Sequence, residues 1–184
     1  MNKPRVLLAD DNVALAKALA EVLEGECELV GVVYDGRALL NAAQELRPDI
    51  IVTDISMPQM SGVEVFRRLK EDGSTAKIIV LTVHQEPQLA AALLRDGVSG
   101  YVVKQFAGEE LLTALHEVLR GCAYITPLIT DKASSHVRSA RSRPSPADTG
   151  TAIHRNSDSE SIAVPERTKD RVTEVSPRHR NRQL

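Results

Sequence analysis

Apolar residues between Val6 and Leu119 fall into short runs separated by amphipathic stretches. Val6–Ala9 (VLLA) predicts a strand, closed by Asp10, Asp11 and Asn12. Asn12 suits a helix N-cap. Val13, Ala16, Leu19, Ala20 and Leu23 then recur at helical spacing, and Gly25 suits the stop. Glu28–Val33 (ELVGVV) predicts a second strand with Gly31 as its weak point. Asp35-Gly36 marks a turn, and Arg37–Leu46 predicts a helix ended by Pro48. Ile50–Thr53 (IIVT) is apolar or β-branched throughout, as a strand buried on both faces should be. Asp54 follows it, and Met57, Pro58 and Gly62 then turn the chain. A third helix is predicted over Ser61–Asp72, with Val63, Phe66 and Leu69 inward and Gly73 as its stop. Lys77–Leu81 (KIIVL) predicts the fourth strand, ending at Thr82. Pro87 suits the first turn of a helix over Gln88–Arg95, stopped by Gly97. Gly100–Val103 (GYVV) predicts the fifth strand, with Lys104 at its end. Glu109–Leu119 predicts the fifth helix, apolar at Leu111, Leu112, Leu115, Val118 and Leu119 and ended by Gly121. Tyr124–Ile129 reads as a short packed extension.

Strand and helix thus alternate in the pattern of a parallel sheet covered on both faces. The expected class is α/β: a doubly wound, five-stranded parallel sheet of the flavodoxin-like kind, order 2-1-3-4-5. In such sheets ligands bind outside the carboxyl ends of the strands. Those ends carry Asp10 and Asp11, Asp54, Thr82 and Lys104. Strands 1, 3, 4 and 5 would be neighbours about 4.8 Å apart, so their polar ends should converge on one crevice. Gathered carboxylates repel, and a divalent cation relieves that. Mg²⁺ takes one or two carboxylates, several waters and a phosphate oxygen. Two acids on the metal would leave Asp54 as a nucleophile towards a phosphoryl group. Mg²⁺ and Lys104 can neutralise the transferring charge, and the Thr82 hydroxyl can donate to a phosphoryl oxygen.

Charge divides the chain. Residues 1–130 hold 12 Lys and Arg against 18 Asp and Glu, a net of −6; residues 131–184 hold 11 against 7, a net of +4. An acidic body with a basic tail points to separate roles. Residues 131–184 have no Phe, Tyr or Trp and no sustained helical period, and are expected to form a disordered tail. No signal peptide is expected, because Met1–Arg5 leads directly into an apolar run, and no apolar stretch is long enough to span a bilayer. Cys27 and Cys122 fit no metal or redox spacing. They are expected to be small buried apolar groups in a reducing cytoplasm.

The segments LLADDN, IIVTDISMPQMSG, IIVLT and GYVVK together resemble the marks of a response-regulator receiver domain of two-component signalling. The resemblance covers about Pro4–Ile129. It implies that Asp54 accepts a phosphoryl group, that Asp10 and Asp11 help hold Mg²⁺, and that the Ser56 backbone carbonyl completes the metal site. It implies that Lys104 contacts the phosphoryl group, that Thr82 is a switch hydroxyl and Tyr101 a switch aromatic. It further implies a histidine kinase as donor. Phosphorylation of Asp54 is expected to change the surface of the fourth helix, fifth strand and fifth helix, and a homodimer through that surface is a hypothesis that follows. EGECELVGVVYDGRALL and LRGCAYITPLI are similar to the LuxR-type (NarL/FixJ-like) branch. Two departures stand out. Gln105 follows Lys104 where many receivers have proline. Members of that branch also carry a helix-turn-helix domain, a pattern absent from residues 131–184. DNA binding is therefore an open expectation, and a truncated or frameshifted DNA-binding domain is one account of the tail.

Taken singly, each residue has a plainer reading. Asp10 and Asp11 could cap the first helix, Thr82 could be an ordinary strand-end residue, Lys104 a solvated charge and Tyr101 a packed aromatic. His84 reads as an exposed loop residue and His116 as a residue on the outer face of its helix. Two other classes fit poorly. An aspartyl-phosphate phosphatase would want Asp-x-Asp after the first strand, where this chain has Asp10-Asp11-Asn12. A flavin carrier would want a Ser/Thr-rich phosphate loop and aromatics, of which the chain has five.

Overall fold

The computed structural model describes residues 3–133. Of the expected disordered tail, residues 131–133 are described and continue a helical segment, a correction at its start; the rest falls outside the described residues. Strands and helices alternate as β1 (Arg5–Ala9), α1 (Val13–Leu23), β2 (Glu28–Val33), α2 (Gly36–Leu46), β3 (Ile50–Asp54), α3 (Gly62–Glu71), β4 (Lys77–Thr82), α4 (Pro87–Asp96), β5 (Gly100–Val103), α5 (Ala107–Leu119) and β6 (Tyr124–Ile125). All strand pairs are parallel, in the order β2-β1-β3-β4-β5-β6. The expected order stands, extended by the two-residue β6 at the β5 edge where only a packed extension was read. A helical segment follows from residue 127.

The inner strands are apolar through their middles because alternate side chains feed two separate cores. Val6 and Leu8 join Ile50, Val52, Ile79, Leu81 and Val102 on the face covered by Leu19 and Leu23 of α1 and by Leu111, Leu115 and Val118 of α5. Leu7, Ile51, Ile78, Val80, Tyr101 and Val103 face the helices α2, α3 and α4 through Leu39, Leu40, Phe66, Leu69 and Leu93. Leu7 and Leu8 are both fully buried, each stabilising the fold by about 2 kcal/mol relative to an exposed side chain. Inside α3 the buried residues are Val65, Phe66 and Leu69, with Val63 only partly buried. Spacing three and spacing four both lie on one helical face, and the helix settles on the Val65 side. Gly31 marks an irregularity: the register of β1 against β2 shifts between Val6 and Leu7, so that Leu7 faces Gly31.

Cys27 is 7% exposed and its thiol contacts the Leu23 carbonyl oxygen at 3.5 Å. Cys122, expected to be buried, is exposed, because it lies in the turn beyond α5 rather than on a packed face. Among the described residues no helix is long and apolar enough to cross a membrane.

Candidate functional site

Each polar strand end is held by local bonds that the neighbouring residues dictate. At the end of β1 the Asn12 amide donates to Asp10 Oδ1 at 2.9 Å, and Asn12 Oδ1 in turn accepts from the Leu15 amide at 3.1 Å as the N-cap of α1. The cap belongs to Asn12, so Asp10 is free to point inward, where it is fully buried, while Asp11 stays exposed. At the end of β3 the Thr53 hydroxyl donates to the Asp54 carbonyl at 2.9 Å. Gly62 then brings its backbone against that carbonyl: a Cβ there would lie 2.1 Å from the Asp54 oxygen. The loop between them is anchored by buried Met57 and Met60 and by the Gly36 amide, which donates to the Pro58 carbonyl at 3.2 Å. Ser56 lies exposed in this loop, two residues beyond Asp54.

Lys104 opens a single 3-10 turn after β5. Its Nζ lies 2.8 Å from Asp10 Oδ2 and 2.8 Å from Asp54 Oδ2, with its side chain 14% exposed. Asp10 Oδ2 is close to this ammonium but has no aligned hydrogen bond. Burial alone would lower the Lys104 pKa, but the close contacts and charges of Asp10 and Asp54 outweigh it and raise it above its ordinary value. One carboxylate oxygen from each of Asp10, Asp11 and Asp54 falls within a 4.8 Å cluster. The three acids against one ammonium leave an excess of negative charge in a partly buried cleft. Hard oxygen donors in that arrangement could hold a divalent cation. Of the five residues expected to converge, Asp10, Asp11, Asp54 and Lys104 come together here, while the Thr82 hydroxyl is engaged by the His84 amide instead.

Thr82 and Tyr101 form a second group, and both act on His84. The His84 amide donates to Thr82 Oγ1 at 3.0 Å, and the Tyr101 hydroxyl donates to the His84 carbonyl at 3.0 Å. Thr82 is 1% exposed and Tyr101 fully buried, turned inward. The ring of His84 is exposed, 3.6 Å from Glu86, as the loop reading had it; its backbone role was not legible because any residue type supplies the same amide and carbonyl. His116 is exposed on α5 as expected, 3.6 Å from Glu26.

A third group was missed altogether. Thr126 is fully buried; its hydroxyl donates to Glu110 Oε2 at 2.6 Å and accepts from the Val103 amide at 3.0 Å. The Thr126-Pro127 pair, a cap residue before a helix-starting proline, was the available signal.

Tyr101 is pushed up to about 12, first by burial and then by the charge of Glu86, against a smaller pull down from the Thr82 hydroxyl. Tyr124 also rises to about 12, through burial and Glu110. In the unfolded chain these phenols lose their protons near pH 10, while the folded state keeps them. The native state then binds more protons than the unfolded one, so stability falls as pH rises. Raised Lys104 adds to the effect in the same window. The urea midpoint is expected to hold to about pH 9 and fall steeply beyond pH 10. A midpoint that is flat to pH 12 would contradict the burial of these groups.

Comparison with known proteins gives a consistent picture. The family model described as the response regulator receiver domain matches residues 6–116. The transcriptional regulatory protein DegU of Brevibacillus brevis is 32% identical over 131 residues, which are 70% of this chain and 56% of DegU. The chain thus spans little more than half the length of that relative. The isolated receiver domain of RcsB from Salmonella enterica serovar Typhimurium, solved in the presence of the phosphomimetic BeF₃⁻, superposes with a TM-score of 0.66 at 28% identity over 71% of this chain and 98% of that one. A LuxR-family two-component response regulator from Aurantimonas gives a TM-score of 0.68 at 27% identity over 74% of this chain and 99% of that one. The matched region takes in the acidic cleft, the Lys104 contact and the Thr82–Tyr101 pair, and the chain belongs to the response regulator receiver domain family of two-component systems.

Proposed function

We propose that this protein is a phosphorylation-driven switch in which Asp54 accepts a phosphoryl group from a histidine kinase. The observation that carries the reading is Asp54 itself, a nearly buried carboxylate whose Oδ2 lies 2.8 Å from the Lys104 ammonium, beside Asp10 and Asp11. Transfer forms an O–P bond to a carboxylate oxygen of Asp54 as the P–N bond of a phosphohistidine breaks and the imidazole leaves. Asp10, Asp11, Asp54 and the Ser56 carbonyl would hold Mg²⁺, which suits hard oxygen donors. When bound, Mg²⁺ would offset the charge of the carboxylates and of the incoming phosphoryl oxygens. Lys104 supplies a fixed positive charge beside the acceptor. It also keeps Asp54 oriented for attack. The Thr82 hydroxyl exchanges its His84 contact for a phosphoryl oxygen, and the inward Tyr101 holds the shifted loop through the His84 carbonyl.

We take residues 1–130 as the receiver and residues 131–184 as a separate basic tail, acting in the cytoplasm, where the free thiols of Cys27 and Cys122 are at home. The output is control of transcription, as the name of DegU suggests for that relative, with any DNA contact lying outside the described residues. A homodimer through α4, β5 and α5 would also meet β6, which lines the β5 edge.

The test is direct. The protein is incubated with Mg²⁺ and acetyl phosphate and weighed intact beside Asp54→Asn. A single phosphoryl adduct on the wild type alone supports the assignment, and its loss on EDTA treatment before labelling supports the cation. Equal labelling of both proteins overturns the choice of Asp54.

A further inference from the structure

The chain beyond α5 returns to β5 and binds it along its open edge. The Tyr124 amide donates to the Ser99 carbonyl at 3.1 Å, and the Thr126 amide to the Tyr101 carbonyl at 2.9 Å. The Thr126 hydroxyl then closes the edge, accepting from the Val103 amide and donating its one proton to Glu110 in the first turn of α5. Val103 immediately precedes Lys104, and Tyr101 grips His84. Farther on, Ile129 is buried in the same core as Tyr101 and Val103. Lys132 Nζ donates to Gln85 Oε1 at 2.7 Å, one residue past His84. Residues 124–132 are therefore fastened both to the strand that presents Lys104 and to the loop that Thr82 and Tyr101 share.

We propose that Thr126 is a positioning residue that locks residues 124–132 to the Lys104 end of β5, so that occupancy of the Asp54 pocket is transmitted to the chain leaving the domain. The physical reason is the shortness of β6. A two-residue strand has little ladder of its own, so its attachment depends on the buried hydroxyl bridge. Without the hydroxyl, the Val103 amide and the Glu110 carboxylate each lose a partner inside the protein, which favours detachment over an unsatisfied contact. With it, a shift of Tyr101, Val103 or the His84 loop must carry the segment along. The inference rests on the reading of Asp54 as the phosphoryl acceptor, and the experiment separates the two.

Amide hydrogen exchange is followed in the full chain with Mg²⁺, with and without beryllofluoride, for wild type, Thr126→Val, Thr126→Ser and Asp54→Asn. In wild type, beryllofluoride is expected to slow exchange around Ile55 and His84 and to change it over residues 124–131 by about fivefold or more. Thr126→Ser retains both responses. Thr126→Val keeps the response at Ile55 and His84 but loses it over 124–131, where basal exchange is already faster. Asp54→Asn loses both. A wild-type response confined to the pocket, with 124–131 unchanged, overturns the coupling and leaves the acceptor reading standing. It does so whether or not Thr126→Val folds. A Thr126→Val protein that responds like wild type overturns it as well. Silence at Ile55 and His84 in the wild type overturns the acceptor reading together with the inference.

Discussion

Replacing Lys104 by methionine is expected to lower stability by about 3 kcal/mol, the low end of the range for removing one partner of a buried pair. The melting temperature should drop by about 10 °C as a result. The methylene stem of Lys104 is largely kept by methionine, so packing changes little and the loss is electrostatic. Asp10 Oδ2 and Asp54 Oδ2 each have the ammonium at 2.8 Å, and Asp10 is fully buried. Without that charge, three carboxylates remain within 4.8 Å of one another. A cation that binds only the folded state should then do more for the variant than for the wild type. Ligand at about 100 times its dissociation constant adds roughly 2.7 kcal/mol, and the variant, with stronger repulsion to relieve, should bind it more tightly. Thermal melts across a Mg²⁺ titration check this. A variant as stable as wild type in EDTA, or one indifferent to Mg²⁺, would show that the acids are not held in check by Lys104.

Gly62→Ala should be nearly as costly, about 3 kcal/mol, at the upper end for overpacking a filled site. The added carbon would meet the Asp54 carbonyl oxygen at 2.1 Å and Thr53 Oγ1 at 2.9 Å. Both neighbours belong to a central strand paired on both sides, so neither can move far without breaking the ladder. The strain falls on Asp54, the proposed acceptor, and labelling by acetyl phosphate should slow by more than the loss of folded protein explains. Gly108→Ala, where nothing lies within 4 Å, is the control. It sits inside α5 and should stabilise by about 0.5 kcal/mol. Urea denaturation of the pair checks the contrast, and equal midpoints would mean that the loop after β3 yields easily.

The acidic cleft was legible in the chain because charge at the end of an apolar strand is a local pattern. Asp54 follows IIVT, Lys104 follows GYVV, and a parallel sheet brings such ends together wherever the strands are neighbours. Three helix starts were legible for the same reason, whereas α5 begins at Ala107 and not at the expected Glu109. Asn12, Ser61 and Pro87 announce starts through their own side chains or ring. The face taken by α3 was less so, since Val63 and Val65 are equally apolar and only the packing against the sheet chose Val65.

Alternation of apolar runs with amphipathic stretches, read along the chain, was enough to determine the parallel sheet, the order of its first five strands and the polar residues at their carboxyl ends. Periodicity and strand-end polarity are properties of neighbouring residues, and the rules that turn them into layers are general. Tertiary structure alone decided that His84 links Thr82 to Tyr101 through its backbone, that Asp10 is buried while Asp11 is exposed, and that Thr126 bridges Val103 and Glu110. Those contacts join residues far apart in the chain or use groups every residue possesses. They leave no periodic trace, and exist only once the sheet has brought its edges and loops together.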